Sequence, residues 1–172
     1  MENKKGARFA FCSSVAGDER VWEYARHPFM QIHITADVAF GVIHYYTATE
    51  DKEFLKDYGM EILTECCRYW ADVVEYVNDR YELKRMTGTD EHHPYVDNDA
   101  YTNYLFKYIL EKTSDYCNMF AIYEEEAEKW IDISKKCIFR RKKTSSFLSL
   151  TDTLIYLEHW RRQAMVRQRA FR

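Results

Sequence analysis

The sequence has 172 residues, 47% of them hydrophobic, and a formal net charge of −3, which fits one domain or part of a larger one with enough apolar residues for a core. Only five glycines and two prolines occur, which disfavours an all-β sandwich with many tight turns. No apolar run approaches the roughly 18 residues of a membrane span, and the five cysteines form no C-x-x-C pair, so we expect a soluble, cytoplasmic protein with reduced thiols.

Aromatic residues make up 16% of the sequence, with 14 Tyr, 10 Phe and 4 Trp. Large rings fill hydrophobic cores, and they also stack on the apolar faces of sugars in binding clefts. The composition favours the core interpretation and leaves the cleft interpretation open.

The first regular element is a helix predicted from Gln31 to about Thr47. Its apolar side chains form two stripes, one of Ile32, Ala36, Ala39, Phe40 and Ile43, and one of Ile34, Val38, Val42 and Tyr45. A helix that is apolar nearly all round is buried by its neighbours. Gly41 lies inside this helix, where glycine costs about 1 kcal/mol relative to alanine, so we expect a neighbouring element to approach closely there.

The next helix is predicted to have one polar face. A short helical turn ends at Tyr58, and Gly59 is expected to interrupt it. Beyond Gly59, apolar residues recur at helical spacing: Ile62, Leu63, Cys66, Cys67, Trp70, Val73, Val74 and Val77. This pattern places the two adjacent cysteines in the core as structural thiols. A buried helix followed by an outward-facing one indicates two concentric helical layers.

Turn and cap signals follow. Asn78-Asp79 predicts a turn in a short hairpin. Asp97, Asn98 and Asp99 offer capping oxygens to a helix that carries a stripe of Tyr101, Tyr104, Leu105, Tyr108 and Ile109. A last helix, near Tyr123 to Cys137, has three glutamates in its first turn and two lysines in its last, as the helix dipole favours.

The C-terminal segment has a different charge balance. Residues 140–172 hold nine Lys and Arg against two acids, a charge of +7, whereas the preceding residues hold 25 − 9 = 16 basic and 28 − 2 = 26 acidic side chains, a charge of −10. One interpretation is a basic arm for nucleic acid or an anionic surface. The favoured interpretation is a tail unrelated to the fold, for instance from a change of reading frame.

The segment from Gly88 to Asn103 carries the candidate chemistry. Asp90 and Glu91 stand beside His92 and His93 in a loop that follows regular structure. A carboxylic acid among aromatic side chains can acquire a pKa high enough to donate a proton near neutral pH. Taken alone, these residues also fit a polar loop whose acids cap a helix or stay solvated.

Other kinds of site find less support in the sequence. Adjacent histidines such as His92 and His93 diverge on a helix and face opposite sides of a strand, and no H-E-x-x-H motif is present, so we expect no metal site. The G-x-S-x-G motif of a serine nucleophile and the glycine-rich phosphate loops are also missing from the sequence.

Two long stretches resemble a known family. These are HITADVAFGVIHYYTATEDKEFLKDYGMEILTECCRYWADVVEY and YELKRMTGTDEHHPYVDNDAYTNYLFKYIL. Together they are similar to the central catalytic domain of glycoside hydrolase family 65, which contains inverting maltose, trehalose and kojibiose phosphorylases and some related hydrolases. The G-x-[DN]-E loop, the V-D-N-x-A-Y-T-N helix start and the H-I-T-A-D helix carry the resemblance, which runs from about Lys5 to Cys137.

The resemblance implies an all-α fold, part of an (α/α)6 toroid with roughly four long helices, a short hairpin and the acid loop. It implies that Glu91 is the general acid and that His33 and Thr35 are substrate contacts. The expected substrates are a disaccharide and inorganic phosphate, with phosphate as the nucleophile and with no cofactor. Neither a membrane nor a nucleic acid is an expected partner.

The departures from the family pattern are specific. Phe9-Ala10-Phe11-Cys12 stands where the family has a Phe-Pro-Trp-acid run, and the family's phosphate-binding loop and Lys-Gln sugar contact are not found after Phe139. We therefore predict a partial catalytic barrel over residues 1–139 and an unrelated basic tail over residues 140–172. Such a fragment is expected to be inactive alone and to associate with itself or with a complementary chain. The alternatives are a non-catalytic helical interaction module with a basic arm, and a related glycoside hydrolase.

Overall fold

The structure, a computed structural model, describes residues 4–20 and 27–138. Four long helices and one small two-stranded sheet make up most of it, which confirms the prediction of a mainly helical fold. The helices and strands in chain order are α1 His33–Thr49, α2 Lys52–Phe54, α3 Met60–Val73, β1 Glu75–Val77, β2 Arg80–Glu82, α4 Ala100–Phe120 and α5 Glu124–Lys136. A 3-10 turn, His27–Met30, precedes α1. The toroid stays a prediction, and the basic segment with its boundary at Phe139 lies outside the described residues.

The core forms where α1, α3, α4 and α5 pack together. α4 contacts each of the other three long helices, and its partner across a short connection is α5. The largest fully buried side chains include Trp70, Tyr69, Phe106 and Trp130. Rings therefore fill the centre of the molecule, as the core interpretation of the aromatic content predicts.

Two adjacent thiols lie in this core. Cys66 and Cys67 are both 0% exposed, which confirms their placement on the buried stripe of α3. Burial raises the pKa of Cys66 to about 12, so this thiol keeps its proton at neutral pH.

α1 is buried on one side only. Its first stripe is in the core, with Ala36 and Ala39 at 0% exposure and Ile43 at 1%. The second stripe is only partly covered within the described chain, and Tyr45 is 46% exposed. The prediction of a helix buried all round is therefore wrong for the residues that the structure describes.

The glycine predictions are also corrected. Gly59 does not interrupt a helix, because a π-helical turn, Leu55–Gly59, joins α2 to α3 without a break. A Cβ on Gly59 would lie 3.0 Å from Cδ1 of Leu55 and 3.2 Å from Cγ1 of Val42 on α1. Gly41 meets no atom within 4 Å. The close helix approach thus occurs at Gly59, and Gly41 is exposed.

Replacing Gly41 with alanine is expected to raise the free energy of unfolding by about 0.5–1 kcal/mol, because alanine is the better helix former and finds open space there. Urea unfolding followed by circular dichroism measures the change. Gly59→Ala is the matched control, and it should gain less because the side chains of Leu55 and Val42 must move. Equal gains from both substitutions would contradict this account of the helix contact.

Local signals set the ends of the other elements. Asn78 and Asp79 have φ of 49° and 61°, the left-handed pair that a tight hairpin turn requires, which confirms the predicted turn. Asp99 caps α4 by accepting a hydrogen bond from the N–H of Thr102 over 2.9 Å. The acidic first turn and basic last turn predicted for α5 are both present. Among the described residues, no helix is long and apolar enough to cross a membrane.

The N-terminal residues pack against α3. Gly6 has φ of +79°, and a Cβ there would lie 2.3 Å from the backbone oxygen of Glu65. The N–H of Ala7 donates to that same oxygen over 3.1 Å. Residues 4–20 are thus fastened to the helical core by their backbone, at a point where no side chain fits.

Candidate active site

Glu91 lies in a loop that a backbone bridge closes at its base. The N–H of Met86 donates to the carbonyl of Val96 over 2.9 Å, and the N–H of Val96 donates to the carbonyl of Met86 over 2.8 Å. The residues between them form turns, and the side chain of Glu91 is exposed. The bridge fixes both ends of the loop, and Glu91 is an exposed residue between them.

Further hydrogen bonds anchor the base of the loop to the rest of the fold. The N–H of Leu83 donates to Oδ1 of Asn98 over 2.9 Å, and the N–H of Asn98 donates to the carbonyl of Leu83 over 2.8 Å. The N–H of Thr87 donates to the carbonyl of Met30 over 3.0 Å, which ties the loop to the residues just before α1. Segments far apart in the sequence therefore set the position of the loop.

Gly88 packs directly against the cap of α4. A Cβ on this residue would lie 2.6 Å from Cγ of Asp99 and 2.7 Å from its Oδ1, which is closer than van der Waals contact allows. Asp99 cannot move freely, because its Oδ2 accepts hydrogen bonds from both the N–H and the hydroxyl of Thr102. The glycine of the G-x-[DN]-E motif thus lets the loop that carries Glu91 lie against the start of α4.

Replacing Gly88 with alanine is expected to lower the free energy of unfolding by about 1–2 kcal/mol, because the new methyl group displaces either the capping carboxylate or the loop. Thermal unfolding measures the loss, and faster hydrogen exchange at the N–H of Thr102 would locate it at the cap. Thr89→Ala, at the exposed neighbouring residue, is the control and should leave both quantities unchanged. A stable Gly88→Ala protein with a protected Thr102 amide would contradict the contact.

Gln31 binds the carboxyl group of Glu91. Its Nε2 donates to Oε1 of Glu91 over 3.0 Å. Gln31 is only 1% exposed, although the loop residue that it contacts is exposed. The hydrogen bond therefore joins a buried amide just before α1 to a solvent-facing acid.

His33, two residues after Gln31, belongs to a second set of polar side chains that contact one another. Its Nδ1 lies 2.8 Å from Oδ2 of Asp37, and the hydroxyl of Tyr101 donates to Oδ1 of Asp37 over 2.7 Å. Burial raises the pKa of Tyr101, and the hydrogen bond to Asp37 raises it further, so the hydroxyl stays protonated and acts as a donor. Nε2 of His33 is buried and has no hydrogen-bond partner in the part of the chain that the structure describes.

Thr35 forms its hydrogen bond with the N-terminal segment. It is 0% exposed, and its hydroxyl accepts a hydrogen bond from the N–H of Phe9 over 3.0 Å. Residues two apart on a helix point about 200° from each other, so Thr35 and His33 face different sides of α1. The structure places Glu91 beside Gln31 and leaves Thr35 with the N-terminal segment.

Asp90 organises the loop beside Glu91. Its Oδ1 accepts from the N–H of His92 over 3.1 Å, and its Oδ2 lies 2.7 Å from Nδ1 of His93. The hydrogen bond from His93 lowers the pKa of Asp90, which is therefore ionised at neutral pH. Among the described residues, no three His, Cys, Asp or Glu side chains gather as metal ligands would.

No functional role was assigned from the sequence to three residues of this region, namely Gln31, Asp37 and Tyr101. Asp37 follows His33 by four residues, a spacing that brings two helical side chains together and that could have identified the pair. No such local signal links Gln31 to Glu91, because 60 residues separate them.

Comparison with known proteins identifies the family. A family model described as the glycosyl hydrolase family 65 central catalytic domain matches residues 1–169. The chain belongs to glycosyl hydrolase family 65. The family 65 match includes residues 140–169, and the boundary predicted at Phe139 stays a prediction.

Relatives within family 65 are named as phosphorylases. The chain is 58% identical over 113 residues to a 3-O-alpha-D-glucosyl-L-rhamnose phosphorylase of Lachnoclostridium phytofermentans, a match that covers 66% of this chain and 15% of the relative. It is 36% identical over 163 residues to a kojibiose phosphorylase of Thermoanaerobacter brockii, covering 79% of this chain and 21% of the relative. The chain thus spans about a fifth or less of these relatives.

A solved structure has a similar fold. It is a putative kojibiose phosphorylase from the human microbiome, which superposes with a TM-score of 0.70 at 21% sequence identity. The superposition covers 80% of this chain and 22% of that protein. At this identity the likeness concerns the fold, and it supports the helical arrangement described above.

Proposed function

We propose that this chain carries the general-acid part of a disaccharide phosphorylase active site, with Glu91 as the acid. The observation that carries the proposal is the exposed residue Glu91, whose carboxyl group accepts a hydrogen bond from Gln31 in a loop that is closed at its base. Membership of family 65 and the phosphorylase names of the relatives support the same reaction class.

The proposed reaction is a single displacement. Glu91 gives its proton to the glycosidic oxygen while a phosphate oxygen attacks the anomeric carbon from the opposite face. The carbon–oxygen bond to the leaving sugar breaks as the bond to phosphate forms, so the products are a sugar 1-phosphate of inverted configuration and a free sugar. Phosphate is already an anionic nucleophile, and one protein carboxylic acid is therefore sufficient.

For substrate binding we propose His33 in a direct role. Asp37 and Tyr101 hold its ring, and the unpartnered Nε2 suits a hydrogen bond to a sugar hydroxyl after a small local opening. For Thr35 we propose an indirect role, because its hydroxyl would have to leave the N–H of Phe9 to reach a sugar. The two residues thus support the site from different sides of α1.

We propose further that the chain is part of an (α/α)6 toroid whose phosphate site is formed by residues outside this sequence. The partly covered stripe of α1 that ends at Tyr45 is consistent with further helices packing there. In this proposal the chain does not turn over substrate by itself.

A chimeric enzyme tests the function. Residues 31–138 of this chain would replace the corresponding residues of the Lachnoclostridium phytofermentans phosphorylase, to which the chain is 58% identical over 113 residues. Phosphate-dependent release of a sugar 1-phosphate is expected from the chimera and not from the isolated chain. A folded chimera that lacks this activity would overturn the proposal.

The related hydrolase is the second outcome that the same assay distinguishes. An inverting hydrolase uses a second carboxylate roughly 6.5–9.5 Å from the acid to activate water. It would release free sugars only, at a rate independent of phosphate. Product analysis with and without phosphate therefore separates the two reaction classes.

A further inference from the structure

Whereas the acid that it contacts is exposed, Gln31 is buried. Its side chain is 1% exposed, and its neighbours on both sides are fixed. The carbonyl of Met30 accepts the N–H of Thr87 over 3.0 Å, and Ile32 is 3% exposed in the core. A buried, anchored amide therefore reaches an exposed loop side chain that could otherwise adopt several rotamers.

The direction of this hydrogen bond has a chemical consequence. An amide nitrogen can only donate, so Oε1 of Glu91 must be the unprotonated oxygen of the carboxyl group whenever the bond is present. The proton of the acid form then resides on Oε2. When that proton leaves, the bond from Gln31 becomes charge-assisted.

We propose that Gln31 is a positioning residue that fixes the rotamer of Glu91 and assigns its transferable proton to Oε2. The inference rests on the proposed function for the use of that proton, but the pairing itself does not require turnover. Gln31 acts through Glu91 and touches no reacting atom in this proposal.

The opposite amide orientation predicts a different behaviour. If Oε1 of Gln31 faced the acid, it would accept the proton of Glu91 and retain it in a hydrogen bond. In the observed orientation, Oε1 of Gln31 is instead buried without a partner within the described residues. Only in the observed orientation does an N–H group of Gln31 lie next to the carboxyl group of Glu91. The magnetic resonance signal of that N–H group therefore distinguishes the two orientations.

The experiment uses the full chain labelled with 15N at the glutamine side chains. The sequence has three glutamines, Gln31, Gln163 and Gln168, so the NH2 signal of Gln31 is assigned by its loss in Gln31→Met. We expect this signal to shift when Glu91 is replaced by glutamine, because the amide of Gln31 then loses its carboxyl partner. A signal that is the same in the unmodified chain and in Glu91→Gln would overturn the pairing.

A second measurement tests positioning rather than contact. Three-bond couplings about χ1 of Glu91 should report one rotamer in the unmodified chain and an average of rotamers in Gln31→Met. Methionine matches glutamine in length and volume but cannot donate, so the amide signals of Met86 and Val96 should stay unchanged as the internal control. Unchanged couplings, or a loss of the Met86–Val96 bridge, would show that Gln31 serves only the packing of the loop.

These measurements separate the two proposals. The two resonance measurements need no phosphate or sugar. An inactive chimera would therefore count against the proposed function, and the resonance data would still decide the role of Gln31. An active chimera in which Gln31 and Glu91 show no coupling would support the proposed function and count against the positioning role of Gln31.

Discussion

Replacing Glu91 with glutamine in the chimeric phosphorylase should lower kcat for disaccharide phosphorolysis by about 10²- to 10⁴-fold, the range that a general acid contributes. The carboxamide retains the size of the side chain but has no acidic proton to transfer to the leaving oxygen. Initial rates of sugar 1-phosphate release at saturating phosphate and disaccharide measure the effect.

The leaving group distinguishes lost acid catalysis from lost structure. With an α-glucosyl fluoride, whose fluoride leaves with little help from a proton, Glu91→Gln should lose far less activity. Glu128→Gln removes an exposed acid on α5 and is the matched control, which should keep full activity on both substrates. Equal losses on the two substrates would exclude Glu91 as the proton donor.

Truncating Trp70 to alanine should lower the free energy of unfolding by about 3–5 kcal/mol, the range for a buried tryptophan. The side chain is 0% exposed and packs against Tyr69 and Phe106, with ring centroids 5.6 and 5.5 Å away. Removing it leaves a cavity where α3 meets α4, and nearby rings cannot fill it without leaving their rotamers. Urea unfolding measures the loss.

A loss of this size is comparable with the whole stability of a small domain, so Trp70→Ala can yield an unfolded chain. Trp70→Phe keeps most of the volume and provides an intermediate point that should remain folded. Tyr58→Ala removes a ring that is 65% exposed and should change stability by less than about 0.5 kcal/mol. Similar losses for Trp70→Ala and Tyr58→Ala would contradict the location of the core.

Local sequence signals predicted the elements that depend on neighbouring residues. Asp99 caps α4, Asn78 and Asp79 turn the hairpin, and the charged ends of α5 match its dipole. Each of these features is decided within a few residues, so periodicity and side-chain chemistry suffice to find it.

The errors arose where a distant element decides the outcome. Periodicity located apolar side chains on both sides of α1 but could not tell which side another helix would cover. For the same reason the close approach was predicted at Gly41 and is found at Gly59. Only the packing of α1 against the π-helical turn shows where the two elements meet.

The loop that carries Glu91 was recognisable from the sequence, and the role of Glu91 as the general acid stays a prediction that the family resemblance implies. The hydrogen bond that Gln31 donates to Glu91 was not predictable. Gln31 approaches Glu91 from 60 residues away, and no period connects a loop to the start of a helix. His33 was singled out without the carboxylate of Asp37 that holds it, although the two share one helix face.

The hydrogen bond from the N–H of Thr87 to the carbonyl of Met30 couples ligand binding at the loop to the folding stability of the protein. A ligand that binds only when the loop is in place will also favour the ordered start of α1, by an amount set by its concentration relative to its dissociation constant. By the same linkage, the proposed function implies that a substitution that loosens the start of α1 weakens substrate binding at Glu91 without contacting the substrate. Melting temperature can therefore report occupancy of this loop in variants that have lost their chemistry.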